Sequence, residues 1–281
     1  MPELSLRSRH RCFGGSVGFY EHDSAEIGGR MRFALFLPER PERGRTPVLM
    51  YLAGLTCTEE TLMTKAGALG EAARLGLALV APDTSARDKR HPGDDASWDF
   101  GLGAGFYVDA TQAPWRDGYR MYSYVSHELP ALVEREFPVN GARWGVFGHS
   151  MGGHGALVVG LRNPERFKSL SAFAPIVAPM QCSWGVKAFG NYLGPDKTAW
   201  EQYDASALIR SGARTAGILI DQGLNDQFLT EQLKPEMLEQ ACAQSGQNLI
   251  LRRHSGYDHG YYFIQSFIED HLTHHARTLL A

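Results

Sequence analysis

Short apolar runs recur along the chain, separated by stretches with helical periodicity or with none. Residues 31–37 alternate in part and end at Pro38, which reads as a strand. Residues 47–52 are apolar without a break, the pattern of a strand buried on both faces in a parallel sheet. Comparable runs return at 77–81, 144–147, 170–174, 217–221 and 249–252. Residues 59–75 read as a helix broken by Gly67 and Gly70. Tyr122, Val125, Leu129, Leu132, Val133 and Phe137 recur at steps of three and four, the buried stripe of a helix closed by Pro138. Residues 155–161 can continue as a buried helix that Asn163-Pro164 stops. Further helices are predicted over 233–243 and 261–280. Residues 41–46 read as a charged turn, 176–203 as a mixed insert and 254–260 as a turn.

Strands alternating with helices give a mostly parallel central sheet with helices on both faces, an α/β architecture. No linker, composition shift or repeat divides the chain, so 1–281 reads as a single domain. Residues 83–114 interrupt the alternation. This stretch is rich in Gly and Asp and carries Trp98, Phe100, Phe106 and Tyr107. A loop that long is usually functional or disordered, and its aromatic content argues against disorder. It either borders the functional site or packs as a surface loop.

The chemistry starts at Gly148-His149-Ser150-Met151-Gly152, which fits G-x-S-x-G. A buried strand precedes it and a buried helix follows, the setting in which this pattern becomes a nucleophile elbow. The glycines are expected because a Cβ there would collide with neighbouring backbone. The pattern alone is weak. Gly14-Gly15-Ser16-Val17-Gly18 also fits, but Arg7-Ser8-Arg9-His10-Arg11 ahead of it cannot be a buried strand, so Ser16 reads as part of a polar turn. The bland reading of Ser150 is a helix cap.

A serine nucleophile needs a base, and the base needs an orienting acid. On an α/β-hydrolase fold these follow in the order serine, acid, histidine, each on a loop just after a strand. Asp226 and His259 occupy those slots. Asp221 is the rival acid but sits on its strand with less reach, and Asp258 would have to fold back on its neighbour. His254 is the rival base, while His271, His274 and His275 lie among polar neighbours and are expected to be solvated. One oxyanion donor is the amide of Met151; the other comes from the loop Ala53-Gly54-Leu55-Thr56, each worth about 3–4 kcal/mol. Cys57 lies close to that loop, and Trp184 is a candidate wall.

Composition narrows the partners. A net charge of −3 and a pI near 6.4 give no reason to expect nucleic acid or an anionic membrane. Residues 1–7 lack the apolar core of a secretory signal, and no run reaches the length of a membrane span. Cys12, Cys57, Cys182 and Cys242 are scattered, so reduced thiols are expected, with no metal or cofactor.

The chain resembles the S-formylglutathione hydrolase (esterase D) family over nearly its whole length. The likeness runs through Leu52-Ala53-Gly54-Leu55-Thr56-Cys57-Thr58, Ser97-Trp98-Asp99-Phe100-Gly101 and Gly103-Ala104-Gly105-Phe106-Tyr107-Val108-Asp109. It continues through the elbow, Trp184-Gly185 with Lys187, Asp221-Gln222-Gly223, Asp226 and Gly256-Tyr257-Asp258-His259. The resemblance implies an α/β-hydrolase that cleaves S-formylglutathione to formate and glutathione, in the removal of formaldehyde. It implies a triad of Ser150, Asp226 and His259 and oxyanion donors at Leu55 and Met151. It sets Cys57 and Trp184 beside the nucleophile, and implies a cytoplasmic protein, often dimeric, without metal. Lys187 is a candidate for holding the glutathione part. Ser85-Ala86-Arg87-Asp88 and Gly260 depart from the family's usual Ser-Pro-Arg-Gly and serine. The alternatives are a carboxylesterase for small acetyl or aryl esters, an acyltransferase, and a non-catalytic binding protein on the same fold.

Overall fold

The computed structural model describes residues 4–39, 45–88 and 91–281. One nine-stranded sheet runs through them: β1 Ser5–Cys12, β2 Gly15–Ser24, β3 Gly29–Leu37, β4 Thr46–Leu52, β5 Ala78–Pro82, β6 Val139–His149, β7 Phe167–Phe173, β8 Ile218–Gly223 and β9 Leu249–His254. Their spatial order is β1-β2-β3-β5-β4-β6-β7-β8-β9. The first three strands and β5 pair antiparallel, and every pair from β5 to β9 is parallel. The sheet is therefore mixed, with the parallel part where the unbroken apolar runs lie. β4, β5 and β8 are buried at every position, as two-sided coverage requires.

The helices are α1 Glu60–Lys65, α2 Leu69–Leu75, α3 Met121–Ser123, α4 Leu129–Glu136, α5 Met151–Arg162, α6 Ser183–Tyr192, α7 Lys197–Glu201, α8 Ala205–Arg210, α9 Pro235–Ser245 and α10 Tyr261–Leu279. They cover the sheet on both sides in the α/β-hydrolase manner. α10 packs on β6, β7, β8 and α2, while α5 packs on β4, β6, β7 and α8. Gly67, with φ +69°, breaks α1 from α2; Gly70 sits inside α2 and breaks nothing. α3 passes through a π turn, Tyr124–Glu128, into α4, and Phe137 leaves the helix in extended backbone ahead of Pro138.

Three expectations change. β1 and β2 form a hairpin that the apolar pattern did not announce. β1 is an edge strand, exposed at most positions, so its Arg7, Arg9 and Arg11 face solvent as an edge strand permits. Ser16 pairs with Arg11 and Leu37 in β2; the turn is Phe13-Gly14. The stretch 176–203 is mostly helical, built of α6, α7 and a short 3-10 turn.

The charged turn at 41–46 falls largely outside the described residues, and 89–90 of the long loop do so too. The rest of that loop is packed: Phe100, Phe106 and Tyr107 are buried, while Trp98 remains 56% exposed. Asp88, one of the departures from the family pattern, accepts the Arg30 amide at the start of β3.

Strand order fixes where a site belongs. From β4 the chain crosses to β5 on one side and then to β6 on the other, so the crevice beyond the C-terminal ends of β4 and β6 is a topological switch point. Leu52 pairs with Gly148 there, His149 with Phe173, and Phe173 with Asp221, which brings the loops after β4, β6, β7 and β8 to one rim.

Candidate active site

β6 runs into α5 through Ser150, whose backbone has φ 58° and ψ −120°. L-residues rarely adopt that conformation, at a cost of about 1–3 kcal/mol. Packing enforces it. A Cβ on Gly148 would overlap the Gly152 carbonyl, and one on Gly152 would overlap the Leu52 carbonyl, so strand and helix approach as closely as backbone allows. Ser150 donates its amide to Phe173 O at 3.0 Å and accepts from the His154 amide at 3.0 Å. Its side chain makes no capping bond to α5, so a cap is not its use.

The loop after β8 carries Asp226, and the turn after β9 carries His259. Asp226 is buried. Its Oδ1 accepts the Phe228 amide at 2.8 Å, and its Oδ2 accepts Gln222 Nε2 at 3.3 Å and His259 Nδ1 at 2.5 Å. An ionised carboxylate only accepts, so Nδ1 holds the proton and Nε2 is left as the basic nitrogen. Ser150 and His259 line the same cavity, of about 100 Å³.

Gly54 and Leu55 border that cavity from the loop after β4. A Cβ on Gly54 would come within 3.2 Å of Ser150 Cβ, so this loop lies against the serine. It is braced by Cys57 N–H to Gly54 O at 3.2 Å, Thr56 N–H to Gly103 O at 2.9 Å, and the Tyr107 hydroxyl to Ala53 O at 2.9 Å. Met151 opens α5, and first-turn amides have no acceptor within their own helix. Together the two segments could present amides to a developing oxyanion.

The remaining wall is aromatic. Trp184 packs on Phe228 with ring centroids 4.8 Å apart, Trp98 meets Trp184 edge-on at 5.4 Å, and Phe228 meets His259 at 5.0 Å. Cys57 also lines the cavity; Lys187 does not. The Lys187 ammonium binds Ser97 at 2.8 Å and Asp99 at 2.6 Å, tying α6 to the loop that holds Trp98.

Sequence reasoning did not single out Phe228 or His149, and named Trp98 only as one aromatic of the long loop. Phe228 could have been found two residues beyond the acid, and His149 inside the serine motif; Trp98 had only its aromatic loop. His149 lies against His259 with ring centroids 4.4 Å apart and the rings tilted by 43°, and neither of its ring nitrogens has a partner among the described residues. Burial, then repulsion from His259, pushes its pKa well below the ordinary histidine value, so it stays neutral.

The rival residues have other partners. Asp221 is fully buried and takes the Arg252 guanidinium at 2.6 and 2.5 Å, His254 at 3.1 Å and His271 at 3.2 Å. Burial alone would raise its carboxyl, but the hydrogen bonds from His271, Arg252 and His254 outweigh that and hold it well below the usual range. Asp258 accepts the Gly260 amide at 2.8 Å, at the head of α10. The expectation that His271 and His275 are solvated is overturned. α10 turns both to the sheet, where His271 bonds Ser171 at 2.8 Å and His275 bonds Ser169 at 2.6 Å and Ser171 at 2.8 Å.

Known proteins resemble this chain over most of its length. The family model described as "Putative esterase" matches residues 24–274. The S-formylglutathione hydrolase of Mus musculus is 52% identical over 281 residues, 99% of each chain. That of Paracoccus denitrificans (strain Pd 1222) is 50% identical over 272 residues, 97% of each chain. The structure of an S-formylglutathione hydrolase from Agrobacterium tumefaciens superposes with a TM-score of 0.95 at 47% identity, over 98% of this chain and 99% of that one. Full-length identity at this level, on the same fold, makes the chain an enzyme of the esterase class and a member of the S-formylglutathione hydrolase family.

Proposed function

We propose that this protein hydrolyses S-formylglutathione to formate and glutathione, as a step in glutathione-dependent removal of formaldehyde, with Ser150 as nucleophile, His259 as base and Asp226 as the acid that orients it. One observation carries the reading: a serine in strained backbone shares a small cavity with a histidine whose other nitrogen is held by a buried carboxylate.

The steps follow from the geometry. His259 Nε2 takes the Ser150 proton as Oγ attacks the formyl carbon. Asp226 stabilises the imidazolium through Nδ1. The carbonyl oxygen becomes an oxyanion held by the amides of Leu55 and Met151. As it collapses the carbon–sulfur bond breaks, and His259 gives its proton to the departing thiolate, which leaves as glutathione. Water then enters, loses a proton to His259 and attacks the formyl ester. Formate departs and the proton returns to Ser150 Oγ. A thiolate leaves more readily than an alkoxide, so the acid role of His259 in acylation is lightly loaded.

The cavity supports a small acyl group. Trp98, Trp184 and Phe228 close a volume of about 100 Å³, well under the roughly 300 Å³ of a drug-sized site. Formyl carries nothing but hydrogen beyond its carbonyl carbon. Four free cysteines fit a reducing compartment, the cytoplasm. No helix among the described residues is long and apolar enough to cross a membrane.

The test is steady-state turnover of S-formylglutathione alongside an acetyl aryl ester, with phosphonate labelling of wild type and Ser150→Ala. The reading requires a higher kcat/KM for S-formylglutathione and loss of label in the variant. A higher value for the aryl ester would move the function to a general carboxylesterase. Label retained in Ser150→Ala would remove the nucleophile.

A further inference from the structure

The cavity at Ser150 is too small for a tripeptide, so the thiol half of the substrate must lie elsewhere. A second recess, of about 330 Å³, opens beside it, lined by Asn225, Gln227, Phe228, Asp258, His259 and Gly260. Phe228 and His259 line both spaces, and the oxyanion loop at Gly54 and Leu55 lines only the first. That division has a chemical meaning. The carbonyl oxygen belongs on the side of the amides. The departing sulfur must receive a proton from His259, so it belongs on the side of the imidazole. The chain continuing from that sulfur therefore leads past His259 and Phe228.

We infer that the recess lined by Asn225, Gln227 and Asp258 is the subsite for the peptide body of the thiol leaving group, with Asp258 receiving the ammonium of its γ-glutamyl end. This rests on the reading of the substrate given above. Its volume reaches the lower range of sites that hold ligands of that size. Asp258 is the one carboxylate on its wall. Its residue is exposed, and Oδ1 accepts the Gly260 amide at 2.8 Å, which fixes the carboxylate at the rim. Asn225 uses its side-chain oxygen on the Gly256 amide at 3.1 Å, so what its side chain offers a ligand is an N–H donor, suited to a carboxylate or peptide oxygen. A glutathionyl group carries one ammonium, two carboxylates and two peptide bonds. An acid flanked by neutral amides complements the ammonium end.

The experiment is a cycle between residue 258 and the ammonium it would bind. Kinetics of wild type and Asp258→Asn are measured on S-formylglutathione, on N-acetyl-S-formylglutathione, in which the ammonium is gone, and on S-formyl-N-acetylcysteamine, which lacks the tripeptide. Asn keeps the acceptor for Gly260. For S-formylglutathione, KM should rise about fivefold in Asp258→Asn with kcat little changed, the size expected for one solvent-accessible ion pair. For N-acetyl-S-formylglutathione the two proteins should agree. An equal effect of Asp258→Asn on both glutathione substrates would overturn ammonium recognition, because a mere disturbance of His259 acts on each alike. If wild type favours S-formylglutathione over the cysteamine ester and the variant keeps that preference in full, the subsite falls and the function stands. If wild type favours the cysteamine ester, both fall together.

Discussion

Two carboxylates, five residues apart, have different partners, and only one of them is proposed to act in the reaction. Asp226 and Asp221 are both buried at the C-terminal end of β8, but only Asp226 touches His259. Asp226→Asn keeps the acceptor for the Phe228 amide, so the fold should survive, while the imidazole loses the partner that fixes its tautomer. The expected outcome is a fall in kcat on the order of 10⁴ with an unchanged urea midpoint. Ser150→Ala should lower kcat further, on the order of 10⁶, again with stability intact. A drop of less than tenfold in either variant would mean that the proton moves by another route. The proposed triad of Ser150, Asp226 and His259 could be nominated from the sequence because each is announced by local context: a strand, a sharp turn, a slot after a strand's end. His149, Trp98 and Phe228 were not. What brings them to the cavity is the crossing of β6, the long loop and the β8 loop in space, and no periodicity encodes that.

At the scale of elements, Asp221 does what a catalytic reading would have missed: it joins three of them. Its carboxylate sits on β8, receives Arg252 and His254 from β9, and receives His271 from α10. α10 begins two residues after His259, so this array anchors the helix that follows the proposed base. Removing a buried charge partner costs about 3–5 kcal/mol. Asp221→Asn should therefore lower the unfolding free energy by that much, read as a lower urea midpoint at unchanged slope, while kcat of the folded fraction stays within a few-fold; loss of rate without loss of stability would reverse the assignment.

The elbow is a second element-level constraint. Gly152→Ala forces a methyl into the Leu52 carbonyl, so β4 and α5 must separate. Its cost should exceed about 3 kcal/mol, read as a lowered melting temperature or as insoluble protein. A stable, active Gly152→Ala enzyme would show that the close approach is dispensable. The parallel strands could be read in advance because burial on both faces leaves an unbroken apolar run. β1 could not, because an exposed edge strand needs no apolar face and its arginines look like a loop.

The molecule buries His22, His149, His154, His271 and His275, and that sets its response to acid. Burial lowers the pKa of His22, His149, His154, His271, His274 and His275. His154 falls from 6.5 to about 4, and His149 and His275 are pushed well below 6.5. The cause at His154 is visible: Nε2 donates to the Phe106 carbonyl at 2.9 Å, and Nδ1 is buried with no partner, so a second proton has nowhere to go. Below pH 6.5 the unfolded chain binds protons that the folded chain refuses, so stability rises with pH in this window and is lost as pH falls. His154 alone then costs about 2 kcal/mol between pH 6.5 and 5, at 1.36 kcal/mol per unit. His149 and His275 act in the same direction. Asp221 acts in a lower window, since its carboxyl is depressed and its contribution is lost only as pH drops below the unfolded carboxylate value near 3.9. Stability should accordingly begin to fall between pH 6 and 5, before the carboxylates titrate. Urea midpoints measured at half-unit steps from pH 7 to 4 should fall steeply through that interval; a midpoint that holds flat to pH 4.5 would mean that the buried imidazoles gain protons in the folded state as easily as in the unfolded one.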